Sequence, residues 1–487
     1  MSSSTDEKRS YRNGLKFTSI FGGVQFVQVL VSLIRSKFVA VLLGPGGMGI
    51  FGLLSSAIQF ITSICNLGLT QTGVRDISIA YEEGDNEKFS RTVSIFQRLI
   101  VFSGLFGTIL CLFLSPLLSL LSFGNYEYTW AFILLSCTLL MIQMTNGKVV
   151  LLQSTKNMKR MAYASLYSSI LGLVLTIPLY YLFGTDGIVP AMIITAISGL
   201  ILYNWIARNI KYDKIPLKNK EAFKEGNILI KLGLFITLQG FFSRLATYLI
   251  NIYIGHAGSI DDVGLYNSAL FIIDAAAGMV YAAINSEYYP RLSSCSNDNN
   301  KFTKTINQQI HIAMVFLGPI LALFSLFCEL ATIIFLSSKF LDATMMMRIA
   351  IFGTFFRGPA LCYAYTFLSK GDTKAYWLNE LATMVVRLSL HIIGYKLWGV
   401  TGLGIAYMAT YVFYFLQSAI VCRVLYKYHF DFELLRVMIP QLLIGCCIFV
   451  ISEYSGYIFK YTVGILLVTL SVLLVFKAMR EKLSKRI

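Results

Sequence analysis

Apolar runs of about twenty residues or more succeed one another along almost the whole chain, separated by short polar connections. A helix of about twenty apolar residues crosses about 30 Å of hydrocarbon. The pattern predicts fourteen such helices, over roughly 15–43, 46–72, 93–121, 129–152, 160–182, 187–207, 229–254, 263–289, 308–336, 342–368, 375–396, 401–426, 436–453 and 458–476. The runs are continuous and lack the period-two alternation, over about ten residues, of a membrane barrel. The expected fold class is therefore an all-α polytopic membrane protein.

Basic residues crowd every second connection. Lys8, Arg9 and Arg12 precede the first run; Arg75, Lys88 and Arg91 follow the second; Lys156, Lys159 and Arg160 follow the fourth. The alternation continues through Arg208–Lys224, Arg291–Lys304, Lys370–Lys374 and Arg423–Arg436 to the tail from Lys477. The intervening connections, such as "GPGG", "FGNYEYT", "FGTDG" and "GHAGSIDDV", are nearly free of base, with Lys339 the exception. The positive-inside rule then places both termini in the cytoplasm. A polar N-terminal tail before a long first run argues against a cleaved signal peptide.

Two pairs of stretches repeat at one offset. "MGIFGLLSSAI" (48–58) matches "VGLYNSALFII" (263–273), and "LFGTDGIVPAMIITA" (182–196) matches "LWGVTGLGIAYMATY" (397–411). Gly49 to Gly264 and Gly187 to Gly402 are both 215 residues. The expected organisation is two six-helix halves of equal orientation, 1–207 and 229–426, joined by a cytoplasmic linker at 208–228. Residues 427–487 add two helices and a basic tail. Parallel repeats of this kind usually enclose a pathway, so two bundles around a central cavity are expected. Gly44, Gly46 and Gly49 spell a G-x-G-x-x-G, but the long apolar run before them cannot be the strand a dinucleotide site needs. They read instead as the tight turn between the first two helices.

Polar residues form stripes on the first two helices of each half. Ser55, Gln59, Thr62 and Asn66 share one face of the second helix, and Gln25, Gln28, Ser32 and Arg35 share an arc of the first. Thr237, Arg244 and Asn251 recur by sevens on the seventh, and Asn267, Asp274, Tyr281 and Asn285 follow one stripe on the eighth. Facing lipid, such stripes would be costly; facing one another, they line a wet cavity. Gln28, Gln59, Thr62, Asn66, Asn251, Asn267, Tyr281 and Asn285 are its expected polar lining.

Several charges sit deep within runs: Arg35, Lys37, Arg244, Asp274, Arg357, Glu380 and Arg387, with His391 on the face of Glu380 and Arg387. A charge at the bilayer centre costs at least about 2.5–3.5 kcal/mol, which marks each as a functional candidate. The bland alternative is internal pairing, Arg244 with Asp274 or Arg387 with Glu380. Asp274 is expected to be a coupling site for a proton, Na+ or the membrane potential, and Glu380 a partner of Arg387. Lys148 lies within snorkelling reach of the cytoplasmic side. Basic groups outnumber acidic ones at depth, so the cavity should favour an anion, with Arg35, Lys37, Arg244, Arg357 and Arg387 as its cations.

Composition agrees and excludes other classes. Hydrophobic residues make up 56% and charged residues 14%, where a soluble domain carries about 25% charged. The net charge of +16 is dispersed through the connections and forms no basic nucleic-acid face. The nine cysteines show no metal-ligand spacing, the four histidines are scattered, and no H-E-x-x-H or C-x-x-C motif occurs. No catalytic residue, metal or cofactor is expected.

The stretch "RSKFVAVLLGPGGMGIFGLL" (35–54) resembles bacterial polysaccharide flippases of the multidrug/oligosaccharidyl-lipid/polysaccharide (MOP) exporter superfamily, of the O-antigen and enterobacterial common antigen branch. "LSSKF" (336–340), "LNELA" (378–382) and "GIAYMATYVFYF" (404–415) extend the likeness along most of the chain. The resemblance implies two six-helix bundles around a cavity and two further helices. It also implies flipping of an undecaprenyl-diphosphate-linked oligosaccharide from the cytoplasmic to the periplasmic leaflet of a bacterial inner membrane. Its implied partners are that lipid-linked substrate, membrane lipids and polysaccharide polymerase machinery, the chain itself acting as a monomer. Lys37, Asp274, Arg357 and Glu380 fall in stretches that match the family pattern; Arg35 and Arg244 are chosen by depth. The rivals are an ion-coupled drug antiporter of the same superfamily, for which carboxylates should dominate the cavity, and a flippase for lipid II. A membrane glycosyltransferase would need an acidic metal-binding pair near one face, which the short connections lack.

Overall fold

The computed structural model describes residues 3–66, 68–213, 215, 233, 240–296 and 298–484. Among the described residues, regular structure is helical throughout, and no strand occurs. In chain order the helices are α1 (Ser3–Cys65), α2 (Leu69–Glu82), α3 (Asn86–Phe123), α4 (Thr129–Ser154), α5 (Met158–Phe183) and α6 (Ile188–Ala207). They continue with α7 (240–257), α8 (Ile260–Ala283), α9 (Tyr289–Ser294), α10 (Asn299–Phe335), α11 (Thr344–Ser369), α12 (Thr373–Tyr426), α13 (Leu435–Tyr454) and α14 (Tyr457–Ser484).

Eight stretches are long and apolar enough to cross a membrane, and three of them, Val27–Cys65, Met158–Ala207 and Thr373–Tyr426, run 39, 50 and 54 residues. A pass needs about twenty residues, so each of the three holds two passes, divided at Gly44, Gly184 and Gly399, all with positive φ. The described part of α7, with α8 and α11, completes the fourteen. These three carry Arg244, Asp274 and Arg357. Helix α11 can carry charge because most of it, from Thr344 to Phe367, is buried inside the protein.

Two expected spans end differently. The second, drawn to 72, stops at Cys65; Gly68 takes a left-handed turn (φ 67), and α2 follows as a separate amphipathic helix burying Leu69, Thr72, Gly73, Ile77 and Ala80. The eighth, drawn to 289, leaves α-helical form after Ala283 for a π-helical turn, Ile284–Tyr288, and then the short α9. The glycines of "GPGG" form the expected bend, with Gly44 at φ 68, ψ −171 and Pro45 opening the next helical arm. Helix precedes and follows them, so no strand feeds a nucleotide site there.

The internal repeat is visible in backbone detail. Helices α4 and α11 both span 26 residues, displaced by 215 at either end. Gly184 (φ 55, ψ −129) recurs as Gly399 (φ 57, ψ −138), and Lys156 (φ 56) as Gly371 (φ 70). Asp85 caps α3 by accepting from the amides of Glu87 and Lys88, and Asp298 caps α10 by accepting from those of Asn300 and Lys301. Such caps satisfy amides that a helix start leaves open. The amide of Lys301 holds the Asp298 carboxyl below its ordinary value. Backbone features of the first helices thus recur 213 to 215 residues further along the chain.

The sharpest match is a close approach. A Cβ on Gly187 would lie 2.5 Å from the carbonyl oxygen of Leu179, and one on Gly402 closer still to that of Gly394, again 215 further on. Backbone that tight cannot yield without moving a helix. Gly402→Ala is therefore expected to cost about 3 kcal/mol of stability, the upper range for overpacking. Thermal unfolding in detergent, followed by size-exclusion, checks this; an unchanged midpoint would refute the close packing.

The chain packs as two compact units, Met1–His256 and Ala257–Ile487. In the first, Leu54, Ala57 and Ile61 of α1 pack with Cys111 of α3 and Phe132, Leu135 and Leu139 of α4. Helix α7 belongs to this unit, where the Tyr248 and Ser122 hydroxyls lie 3.0 Å apart and Tyr248 stacks on Phe60. In the second, α13 and α14 clamp α10 through Ala322, Leu326, Ile444 and Ile448, with Gln441 against Gly318 and Leu326 against Gly464. Small residues that let helices close up are the usual means of association in lipid. Charge reinforces this clamp. Buried Arg348 of α11 meets Glu453 of α13 and, at 2.5 Å, Glu329 of α10, whose other oxygen is 3.0 Å from Lys460 of α14.

Candidate functional site

Helix α11 packs against α8 and α12, and the residues that converge there are polar. Arg357 Nη1 is 2.5 Å from Asp274 Oδ1 of α8 and donates to the Tyr407 hydroxyl of α12 at 3.2 Å. The guanidinium carbon lies 4.8 Å from the ring centre of Tyr281 and 5.4 Å from that of Tyr411. Helical spacing builds the cage: Asp274 and Tyr281 are seven apart on α8, Tyr407 and Tyr411 four apart on α12, and each pair shares a face. The Tyr407 and Tyr411 rings meet edge-on, 4.7 Å between centroids. The Tyr281 hydroxyl donates to the Thr354 carbonyl at 3.1 Å, which fixes the floor of the cage.

A cation between aromatic faces is stabilised by their quadrupoles, and the carboxylate supplies the remaining countercharge. Arg357 has five N–H donors. Among the described residues, its protein hydrogen bonds all leave from Nη1, and 26% of the side chain is accessible, as is 52% of Asp274. The Nη2 and Nε donors remain available for acceptor oxygens. That is the fork geometry that suits phosphate. Arg387 lies in the same neighbourhood, beside the Tyr266 hydroxyl and within electrostatic reach of Tyr411 and Tyr407. One turn on, His391 is buried, with Nδ1 2.7 Å from the Arg387 carbonyl oxygen and its ring edge-on to Tyr266. A nitrogen facing a carbonyl must carry hydrogen, so Nδ1 is the donor.

The partner of Asp274 is therefore Arg357, not the Arg244 considered from sequence, because α8 packs on α11 and brings the two side chains into line. The carboxylate of Glu380 accepts from the Tyr414 hydroxyl at 2.5 Å, within the two passes of α12. In the first unit, Arg244 Nη1 donates to Gln59 Oε1 at 2.8 Å, joining α7 to the second arm of α1, and its side chain is exposed. Arg35 hydrogen-bonds to the Tyr180 hydroxyl of α5, Gln28 donates to Ser165, and Lys37 is half-buried. Thr62 and Asn267 donate to carbonyls of their own helices, at Ile58 and Val263, and Asn66 donates to Thr70. Asn251 is fully buried. Thr237 and the side chain of Asn285 lie outside the described residues.

Sequence reasoning missed Tyr407 and Tyr411. Their four-residue spacing inside an apolar run was the available signal, but it is shared by many packing aromatics. It also missed Arg348, Glu329, Glu453 and Lys460, each near the end of a span where charge attracts no notice. Among the described residues, no group of three His, Cys, Asp or Glu side chains is placed to hold a metal ion.

Fourteen passes, an internal repeat and an arginine held among tyrosines at depth define a multi-pass membrane protein. That architecture is found in a solved structure described as lipid II flippase MurJ in an inward closed conformation, with TM-score 0.72, 16% identity, and 95% of this chain and 99% of that one covered. It is also found in a multidrug resistance MATE family transporter of the MOP superfamily in its inward-facing conformation, with TM-score 0.69, 18% identity, and coverage of 82% and 96%. The chain belongs to the polysaccharide biosynthesis protein family, whose model matches residues 38–345. It is 22% identical over 403 residues to the lipid III flippase of Escherichia coli K12, covering 80% of this chain and 93% of that protein.

Proposed function

We propose that this protein flips undecaprenyl-diphosphate-linked oligosaccharide units, such as O-antigen or capsule precursors, from the cytoplasmic to the periplasmic leaflet of a bacterial inner membrane. Alternating access moves the substrate, and no covalent chemistry is performed. The observation that carries this reading is Arg357, held at depth between tyrosine rings with donors unused. A diphosphate needs a charge-assisted fork when it leaves water, and tyrosine hydroxyls and rings suit sugar. Membership of a polysaccharide biosynthesis family and the likeness to flippases of lipid-linked precursors support it. The drug antiporter should have a cavity dominated by carboxylates; the deep basic residues Arg244, Arg357 and Arg387 outnumber the deep acids Asp274 and Glu380, which favours the flippase. Lipid II would present the same diphosphate; the glycan distinguishes it. The protein acts as a monomer beside its polymerase, with transport driven by a proton, Na+ or the membrane potential through Asp274.

Reconstituted into liposomes, the protein should move a fluorescent undecaprenyl-diphosphate oligosaccharide to the opposite leaflet, read by a membrane-impermeant quencher. Absence of movement, with active transport of a cationic drug, would replace this reading by the antiporter. Topology has its own test, motivated by the alternating basic connections. In a cysteine-free background, single cysteines at the exposed Ser259 and Thr185 should react with an impermeant thiol reagent added to spheroplasts, and one at Ser294 should not. Labelling at Ser294 alone would invert the orientation.

A further inference from the structure

A cleft of about 350 Å³ opens between the start of α5 and the end of α6, lined by Arg160, Tyr163, Tyr167, Trp205, Ile206, Arg208 and Asn209. Its construction follows from helix spacing. Arg160, Tyr163 and Tyr167 fall at i, i+3 and i+7 on α5, and Trp205 and Arg208 at i and i+3 across that end of α6. Ala164 and Ala207 fill the interior side with Leu152 and Tyr203, so the large rings turn outward. Tyr163 and Tyr167 stack, 6.3 Å between centroids, and Trp205 is 64% exposed.

Two cationic side chains flank the cleft. Lys156 of the same connection as Arg160, and Lys88 and Lys301 of two others, are each paired with an acid: Glu82, Glu83 and Asp298. Among the described residues, Arg160 and Arg208 have no ion pair. The α5 start adds to their field, because the positive end of its helix dipole lies there and Asn157 makes no side-chain cap. Arg208 offsets the opposite end of the α6 dipole. Exposed tryptophan and tyrosine at a helix end mark the depth of lipid headgroups, and arginine is the side chain that forks onto phosphate.

We propose that this cleft binds the phosphate headgroup of an anionic glycerophospholipid, a site separate from the Arg357 cage. The two arginines hold the phosphodiester, and the rings line the glycerol and upper acyl region. A chain with Trp130→Phe, Trp377→Phe and Trp398→Phe keeps Trp205 as its one indole. In mixed vesicles, brominated phosphatidylglycerol should quench it in strong preference to brominated phosphatidylcholine. Arg160→Gln with Arg208→Gln should reduce that preference about 25-fold, the factor two basic residues contribute at an anionic surface. Lys301→Gln with Lys304→Gln should leave it unchanged, separating a site from the general positive field. Equal quenching by the two lipids, or an unchanged preference in the arginine variant, would overturn the proposal. So would relief of quenching by equimolar undecaprenyl diphosphate or by millimolar inorganic phosphate, which would reassign the cleft to substrate or to a free anion. Native mass spectrometry of the chain with all four tryptophans repeats the comparison, counting retained phosphatidylglycerol with and without the arginines. Neither readout depends on transport.

Discussion

Arg357→Ala abolishes export of the lipid-linked glycan, an expected loss of about 100-fold, the effect of removing charge-assisted hydrogen bonds worth about 1.5–3 kcal/mol each. The single change also strands the Asp274 carboxylate, whose observed partner is 2.5 Å away, so misfolding could mimic loss of transport. Arg357→Ala with Asp274→Asn removes both charges; this double variant is expected to insert at normal levels and still fail to export. Arg357→Lys should retain a fraction of activity, keeping the charge but losing the fork. Glycan export in a strain lacking its own flippase, normalised to membrane-inserted protein, is the measurement. Normal export by the double variant would show that the cage is a structural ion pair. Asp274→Asn alone leaves Arg357 in place, and liposome flipping under an imposed proton or Na+ gradient then reads coupling: the expected protein is folded but no longer gradient-responsive.

The largest expected effect on stability is at Arg348. Its side chain is 2% exposed and contacts both Glu329 and Glu453, while Lys460 holds the other oxygen of Glu329. Two positive and two negative charges thus balance among α10, α11, α13 and α14. Arg348→Met leaves one carboxylate uncompensated and should cost about 3 kcal/mol or more, as breaking a buried pair does. Adding Glu453→Gln restores neutrality, since Glu329 keeps Lys460. The double variant should regain most of the lost thermal midpoint in detergent. If Arg348→Met alone unfolds at the wild-type midpoint, the network does not hold the last two helices. Transport need not follow stability here, because none of the four residues belongs to the Arg357 cage.

Most of the secondary structure could be read directly from the chain. A run of twenty apolar residues is a local property, and lipid leaves the backbone no alternative to internal hydrogen bonding, so span and helix coincide. The departures occurred where one residue's backbone geometry decides: Gly68, whose positive φ ended the second span early, and Ile284, where the turn became π-helical. Deep charges were legible individually, because an ionisable residue inside a span stands out against its neighbours. Their pairing was not. Asp274 could have been assigned to Arg244 by stripe symmetry, yet Arg357 holds it.

The sequence by itself determined that this is a helical membrane protein of fourteen passes, with an internal period of 215 residues and a surplus of deep cations. All of these are written in hydrophobic length, repetition and residue type. Only the tertiary structure decided that Arg357 lies between Tyr281 and Tyr411, that Glu380 answers to Tyr414, and that Arg348 ties α10 and α13 together. Residues such as Arg357 and Asp274 are separated by 83 positions, and Arg348 and Glu453 by 105. Whether such side chains touch depends on the rotation and depth of one packed helix against another. Those are set by the summed small contacts of whole helix faces, such as Gly318 on Gln441 and Gly402 on Gly394, and no single stretch of sequence contains them.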